Sequence, residues 1–142
     1  MAELSHVGLT VKDLDRSLAF YRDVAGMEPA GAVIELQSPE FDALTSNPGS
    51  ALRVAHLTAG SLTLQLVEYV AAGGATLELG HHHVGSPHLS FQVVDVEAKY
   101  QELRRRGDVR ITSGLVRITP VTRSFYTADP DGVPVEFLQM SG

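Results

Sequence analysis

The sequence predicts an α+β domain built from two tandem β-α-β-β-β modules. Three observations carry that prediction: an internal repeat, apolar/polar alternation after each repeated histidine, and turn-forming residues that cut the remainder into short strands.

The repeat comes first. Ser5-His6-Val7-Gly8-Leu9-Thr10-Val11-Lys12-Asp13-Leu14 matches Pro87-His88-Leu89-Ser90-Phe91-Gln92-Val93-Val94-Asp95-Val96, with His88 lying 82 positions after His6. Alternation makes each segment a half-buried strand. Val7, Leu9 and Val11 form one apolar face and Leu89, Phe91 and Val93 the other copy's, so His6 and His88 fall on the opposite, polar faces. Each strand is followed by an aspartate suited to capping a helix N-terminus, Asp13 or Asp95. Apolar residues then recur at helical spacing: Leu14, Leu18 and Tyr21, and again Val96, Tyr100 and Leu103. Gly26 and Gly107 supply the stops. Three further strands complete each half, at 31–38, 51–58 and 62–69, then at 109–118, 123–128 and 133–140. Ala59-Gly60 and Asp129-Pro130-Asp131-Gly132 form the last hairpin turns. The whole of 1–142 is expected as a single domain, with one module over about residues 1–70 and the second over about 86–142. Loops are expected at 39–50 and 70–87, where Pro, Gly, Ser and Asn concentrate.

Composition limits function. A chain of 142 residues, 44% hydrophobic, can bury a core, and no apolar run approaches the ~20 residues that span a bilayer. With no basic-then-apolar leader in MAELSH, a cytoplasmic protein without a membrane partner is expected. The formal charge of −6 argues against nucleic acid, which selects clustered Lys and Arg. The one basic cluster, Arg104-Arg105-Arg106, complements a helix C-terminus. The absence of cysteine restricts any metal site to nitrogen and oxygen ligands.

The last strands repeat too. Leu64-Gln65-Leu66-Val67-Glu68-Tyr69 aligns with Val135-Glu136-Phe137-Leu138-Gln139-Met140, 71 positions later. Strand parity sets Gln65 and Glu136 on the polar face and Glu68 on the core side. His6, Gln65, His88 and Glu136 thus form two pairs of equivalent positions. Two imidazoles, an amide oxygen and a carboxylate suit one divalent ion, Ni, Co, Zn, Mn or Fe. His56, paired across the Ala59-Gly60 turn, shares the face of Gln65 and is a candidate base or substrate contact. If the turn at 129–132 is tight, Arg123, Phe125 and Thr127 share the face of Glu136, making Arg123 and Phe125 candidate substrate contacts. Phe41 is a candidate wall or flap, and His81-His82-His83, in a Gly-rich stretch, reads as a solvated loop or lid.

Leu4-Ser5-His6-Val7-Gly8-Leu9-Thr10-Val11-Lys12-Asp13-Leu14 with Ser17-Leu18-Ala19-Phe20-Tyr21, then Gly85-Ser86-Pro87-His88-Leu89-Ser90-Phe91-Gln92-Val93, then Asp129-Pro130-Asp131-Gly132-Val133-Pro134-Val135-Glu136, resemble the vicinal oxygen chelate superfamily of glyoxalases, bleomycin-resistance proteins and dioxygenases. The resemblance covers essentially the whole chain. It implies a glyoxalase-like cupped mixed sheet, a homodimer, and a metal at the quartet above. The His, Gln, His, Glu order is similar to that of methylmalonyl-CoA epimerase, but the second carboxylate base of that enzyme has no counterpart in Ser50-Ala51-Leu52-Arg53-Val54-Ala55-His56-Leu57. The activity implied is proton transfer next to a carbonyl of a small oxo-substrate, of lyase or isomerase/epimerase type, with Glu136 or His56 moving the proton. His6, His88 and Glu136 also resemble an Fe(II) facial triad, so an extradiol-type dioxygenase is the alternative reading, followed by a bleomycin-resistance-like drug-binding protein.

Overall fold

A computed structural model describes residues 1–141 of the chain. The chain divides into two compact units, Met1–Thr76 and Leu77–Gly142. The first contains β1 (Val7–Val11), α1 (Leu14–Ala19), β2 (Glu28–Pro29), β3 (Ile34–Leu36), α2 (Pro39–Thr45), β4 (Ala51–Ala59) and β5 (Leu62–Ala71). The second contains β6 (Leu89–Gln92), α3 (Val96–Arg106), β7 (Arg110–Ile111), β8 (Val116–Thr119), β9 (Thr122–Ala128) and β10 (Pro134–Met140). The α+β fold with two repeated modules therefore forms, each module carrying its own mixed sheet.

The two sheets share one plan. In the first, β1 runs parallel to β5, β5 is antiparallel to β4, and both β2 and β3 pair with β4. In the second, β6 runs parallel to β10, β10 is antiparallel to β9, and both β7 and β8 pair with β9. The second strand expected in each module, at 31–38 and at 109–118, is an edge strand in two pieces, and in the first module the earlier piece, Glu28–Pro29, precedes the expected range. Each break is tied at the same place: Ala30 donates to the carbonyl of His56 at 2.8 Å, and Thr112 donates to that of Tyr126 at 2.9 Å.

Each helix covers the two central strands of its sheet. Leu14, Ser17 and Tyr21 are completely buried on the first helix, as are Leu57, Leu64 and Leu66 beneath it. Val96 and Leu103 close over Val135 and Phe137 in the second. Asp13 and Asp95 cap the helices as expected, accepting from Arg16 and Ala98 at 3.1 and 2.9 Å. A second cap comes from the sheet. Glu68 Oε2 accepts from the Leu14 amide and Gln139 Oε1 from the Val96 amide, both at 3.0 Å. After Ala19 the first helix widens into a π-helical turn, Phe20–Val24, and Gly26 follows at φ 81°. Gly107 ends α3 at φ 76°.

Residues 39–50 are not simply a loop. Ser38 caps α2 by accepting from the Phe41 amide at 3.0 Å, and Pro39 opens the helix where its missing N–H costs nothing. Phe41 is accordingly a half-buried helix residue.

Hairpin length sets strand parity in each module. β4 and β5 meet through the two-residue turn Gly60-Ser61, which pairs His56 with Gln65. β9 and β10 close on three residues, Pro130-Asp131-Gly132, because Asp129 donates to the Val133 carbonyl at 2.8 Å and Gly132 takes φ 91°. The Asp129 carboxylate holds this loop, accepting from the Asp131 and Val133 amides at 2.9 and 2.8 Å. Asp129→Ala leaves the buried Val133 amide without its side-chain partner and is expected to cost ~1–3 kcal/mol, read as a lower urea midpoint with an unchanged m-value.

Candidate metal centre

In the first module the parallel register pairs Gly8 with Gln65. His6 lies two residues before Gly8, immediately ahead of β1. Its ring stands 6.4 Å from that of His56, edge to face. Gln65 Nε2 and His56 Nε2 are hydrogen-bonded at 3.2 Å. The amide donates and the imidazole accepts, so His56 carries its proton on Nδ1 in this arrangement. The Gln65 amide is thereby fixed with Oε1 toward Gly8, only 3.7 Å from where a Cβ on that glycine would stand. Ser5 Oγ lies 3.0 Å from His6 Nδ1, engaging that nitrogen, so Nε2 is the one that could coordinate a metal.

The second module repeats the placement. Ser90 pairs with Glu136 in the same parallel register, and His88 lies two residues before Ser90. Tyr126 stands opposite Glu136 across the antiparallel pair, with the His88 ring 6.2 Å from its own. Both carboxylate oxygens of Glu136 are engaged: Ser90 Oγ donates to Oε1 and Ser124 Oγ to Oε2, each at 2.6 Å. Burial, and then the negative charge of Glu136, push the Tyr126 phenol above its ordinary value, so it remains a neutral donor at physiological pH. His81 packs edge to face on Tyr126 at 4.5 Å.

The structure thus brings together His6, His56 and Gln65 in one module, and Glu136 and His88 around Tyr126 in the other. Among the described residues no three His, Asp or Glu side chains form a group able to hold a metal ion. Glu68 is committed elsewhere, to the Leu14 amide and to Arg53.

Arg123 and Phe125 do not share the face of Glu136, and this corrects the expectation from sequence. The three-residue turn shifts the pairing by one, and one residue reverses every side chain. Tyr126 and Ser124 therefore face Glu136's side. Phe125 is 1% exposed, stacked on Phe137 at 5.5 Å and packed against Tyr100 of α3. Thr127 is buried and donates to the Val135 carbonyl at 2.9 Å. Arg123 bonds Glu97 in the first turn of α3 at 2.7 Å, as Arg53 bonds Asp15 in the first turn of α1 at 3.2 Å. The matching Arg53 and Arg123, each on the strand antiparallel to the last, were the available signal for this structural role. Ser90, Ser124 and Tyr126 are the functional candidates that reasoning from sequence missed.

A family model described as the Glyoxalase/Bleomycin resistance protein/Dioxygenase superfamily matches residues 3–137. The chain belongs to this superfamily. Among its relatives is a 2-epi-5-epi-valiolone epimerase from an Actinomyces species, 30% identical, the match spanning 95% of this chain and 78% of the relative. The fold is shared with a glyoxalase family protein from Bacillus cereus at a TM-score of 0.85 and 16% identity, covering 100% of this chain and 96% of that one. It is also shared with the fosfomycin resistance protein FosX from Listeria monocytogenes, complexed with Mn(II) and sulfate. That match has a TM-score of 0.65 and 20% identity, covering 99% of this chain and 94% of the other. No helix among the described residues is long and apolar enough to cross a membrane.

Phe125→Ala is expected to act on stability, costing about 3–5 kcal/mol in a urea melt through the cavity it opens between Tyr100 and Phe137. A drop in ligand affinity with unchanged stability would instead place Phe125 at the site.

Proposed function

We propose that the chain is a divalent-metal-dependent enzyme that inverts or rearranges a small oxo-substrate by moving a proton next to its carbonyl, an isomerase of the epimerase kind. The observation that carries this reading is the repeated register: Gly8 with Gln65 and Ser90 with Glu136, each with a histidine two residues upstream, just before its strand. The relative named as an epimerase supports the reaction type, and the Mn(II) complex of a protein with this fold supports the metal.

His6 and Gln65 form half of the ligand set and His88 and Glu136 the other half, completed within one chain or between two. The donor set fits the ion: Gln65 has its amide nitrogen engaged by His56 and its oxygen turned away from it, and His6 has Nδ1 engaged by Ser5. A divalent ion bound there supplies Lewis-acid polarisation of a substrate carbonyl. The chain's own groups move the proton. His56 and Glu136 are the titratable side chains beside the ligands, and His56 becomes available as a base when its Nε2 is released from the Gln65 amide.

Purified protein incubated with Mn, Co, Ni or Zn is expected to retain one ion per quartet, and His88→Ala and Glu136→Ala to lose it. Stoichiometric metal in both variants would exclude the site. In deuterium oxide without oxygen, the metal-loaded enzyme is expected to place deuterium at the carbon next to the substrate carbonyl, and His56→Phe to lower that exchange by 10²-fold or more. Oxygen consumption with Fe(II) on catechols would contradict the proton-transfer reading. A homodimer is part of the proposal. Sedimentation is expected to give twice the 15.3 kDa chain mass, and a monomer at micromolar concentration would contradict it.

A further inference from the structure

The two modules surround their candidate ligands with different chemistry, and the difference follows the ligand. Glu136 is flanked by a hydroxyl on each neighbouring strand: Ser90 on β6 and Ser124 on β9. The corresponding neighbours of Gln65 are Gly8, paired with it as Ser90 is with Glu136, and Val54, which pairs with Val67 as Ser124 pairs with Leu138. Neither bears a side-chain donor. Gln65 meets instead an acceptor, His56 Nε2. An amide carries its own N–H and is oriented by an acceptor; a carboxylate accepts only and is oriented by donors.

We infer that Ser90 and Ser124 are positioning residues that lock the orientation of the Glu136 carboxylate for coordination through its remaining lone pairs, an inference that rests on the metal reading above. Contacts of 2.6 Å lie in the range of hydroxyl–carboxylate hydrogen bonds. With one hydroxyl on each oxygen, two of about four lone-pair directions are taken and the plane of the carboxylate is held from both sides. Ser124 is 5% exposed, so its donor is shielded from competing water. Partners that orient a ligand in this way typically contribute 10–100-fold to metal affinity.

The test is titration with Mn(II) alone, following loss of the free-ion electron paramagnetic resonance signal, on the full chain and on Ser90→Ala, Ser124→Ala, the double variant and Glu136→Ala. Each serine variant is expected to bind Mn(II) about tenfold more weakly, and the double variant more weakly still. Ser90→Thr and Ser124→Thr, which keep the hydroxyl, are expected to restore affinity, and this separates positioning from a general loss of packing at buried Ser124. The Co(II)-loaded double variant is expected to show a changed visible absorption as the freed carboxylate alters its coordination. If wild type binds, Glu136→Ala does not, and both alanine variants bind as wild type, the positioning inference is overturned while the metal reading stands. If wild type and Glu136→Ala behave alike, the metal reading fails and the inference falls with it.

Discussion

Parallel pairing between the first and last strand of each module is the constraint on which the candidate site depends. A parallel pair cannot be made by a tight turn, so a long connection must return the chain to its starting edge. In both modules that connection includes the covering helix and the antiparallel hairpin. Its register brings residue 8 beside 65 and residue 90 beside 136. Slipping either register by one would send Gln65 or Glu136 under the helix, among residues that are completely buried. The helix caps from Glu68 and Gln139 oppose such a slip, because each ties the last strand to the first turn of the helix that follows the first strand.

The glutamate and glutamine of the two last strands are exchanged between roles. In the first module Gln65 faces the site and Glu68 caps the helix; in the second Glu136 faces the site and Gln139 caps. One carboxylate per module results, placed at the helix N-terminus in one and at the candidate metal position in the other. The neighbours follow suit. Arg53 lies 3.5 Å from the capping Glu68, whereas serine hydroxyls meet Glu136. Donors are thus matched to acids on adjacent strands in both modules.

Much of this was legible in the sequence because the repeat is long and its period is strict. The capping aspartates and the separation of Gln65 from Glu68 followed from the repeat and from parity within single strands: Asp13 and Asp95 cap their helices, Glu68 binds the Leu14 amide on the helix side, and Gln65 meets His56. What stayed hidden required the length of a loop. Two-residue closure at Gly60-Ser61 made His56 readable as the neighbour of Gln65, whereas three-residue closure at Pro130-Asp131-Gly132 turned Arg123 and Phe125 to the helix side and brought Ser124 and Tyr126 to Glu136. Parity magnifies a single residue into a reversal of faces, and Asp-Pro-Asp-Gly suits either closure. Helix α2 was hidden for another reason: its Ser-Pro start looks like loop composition unless the serine is read as a cap.

In the proposed centre four side chains serve one ion, and anomalous diffraction from Co(II)-loaded crystals reads that directly. The prediction is an anomalous peak bonded by His6, Gln65, His88 and Glu136, with the Gln65 contact made through Oε1. A peak held by other residues, such as His81, His82 or His83, or a quartet whose members never meet in any copy of the assembly, would contradict it.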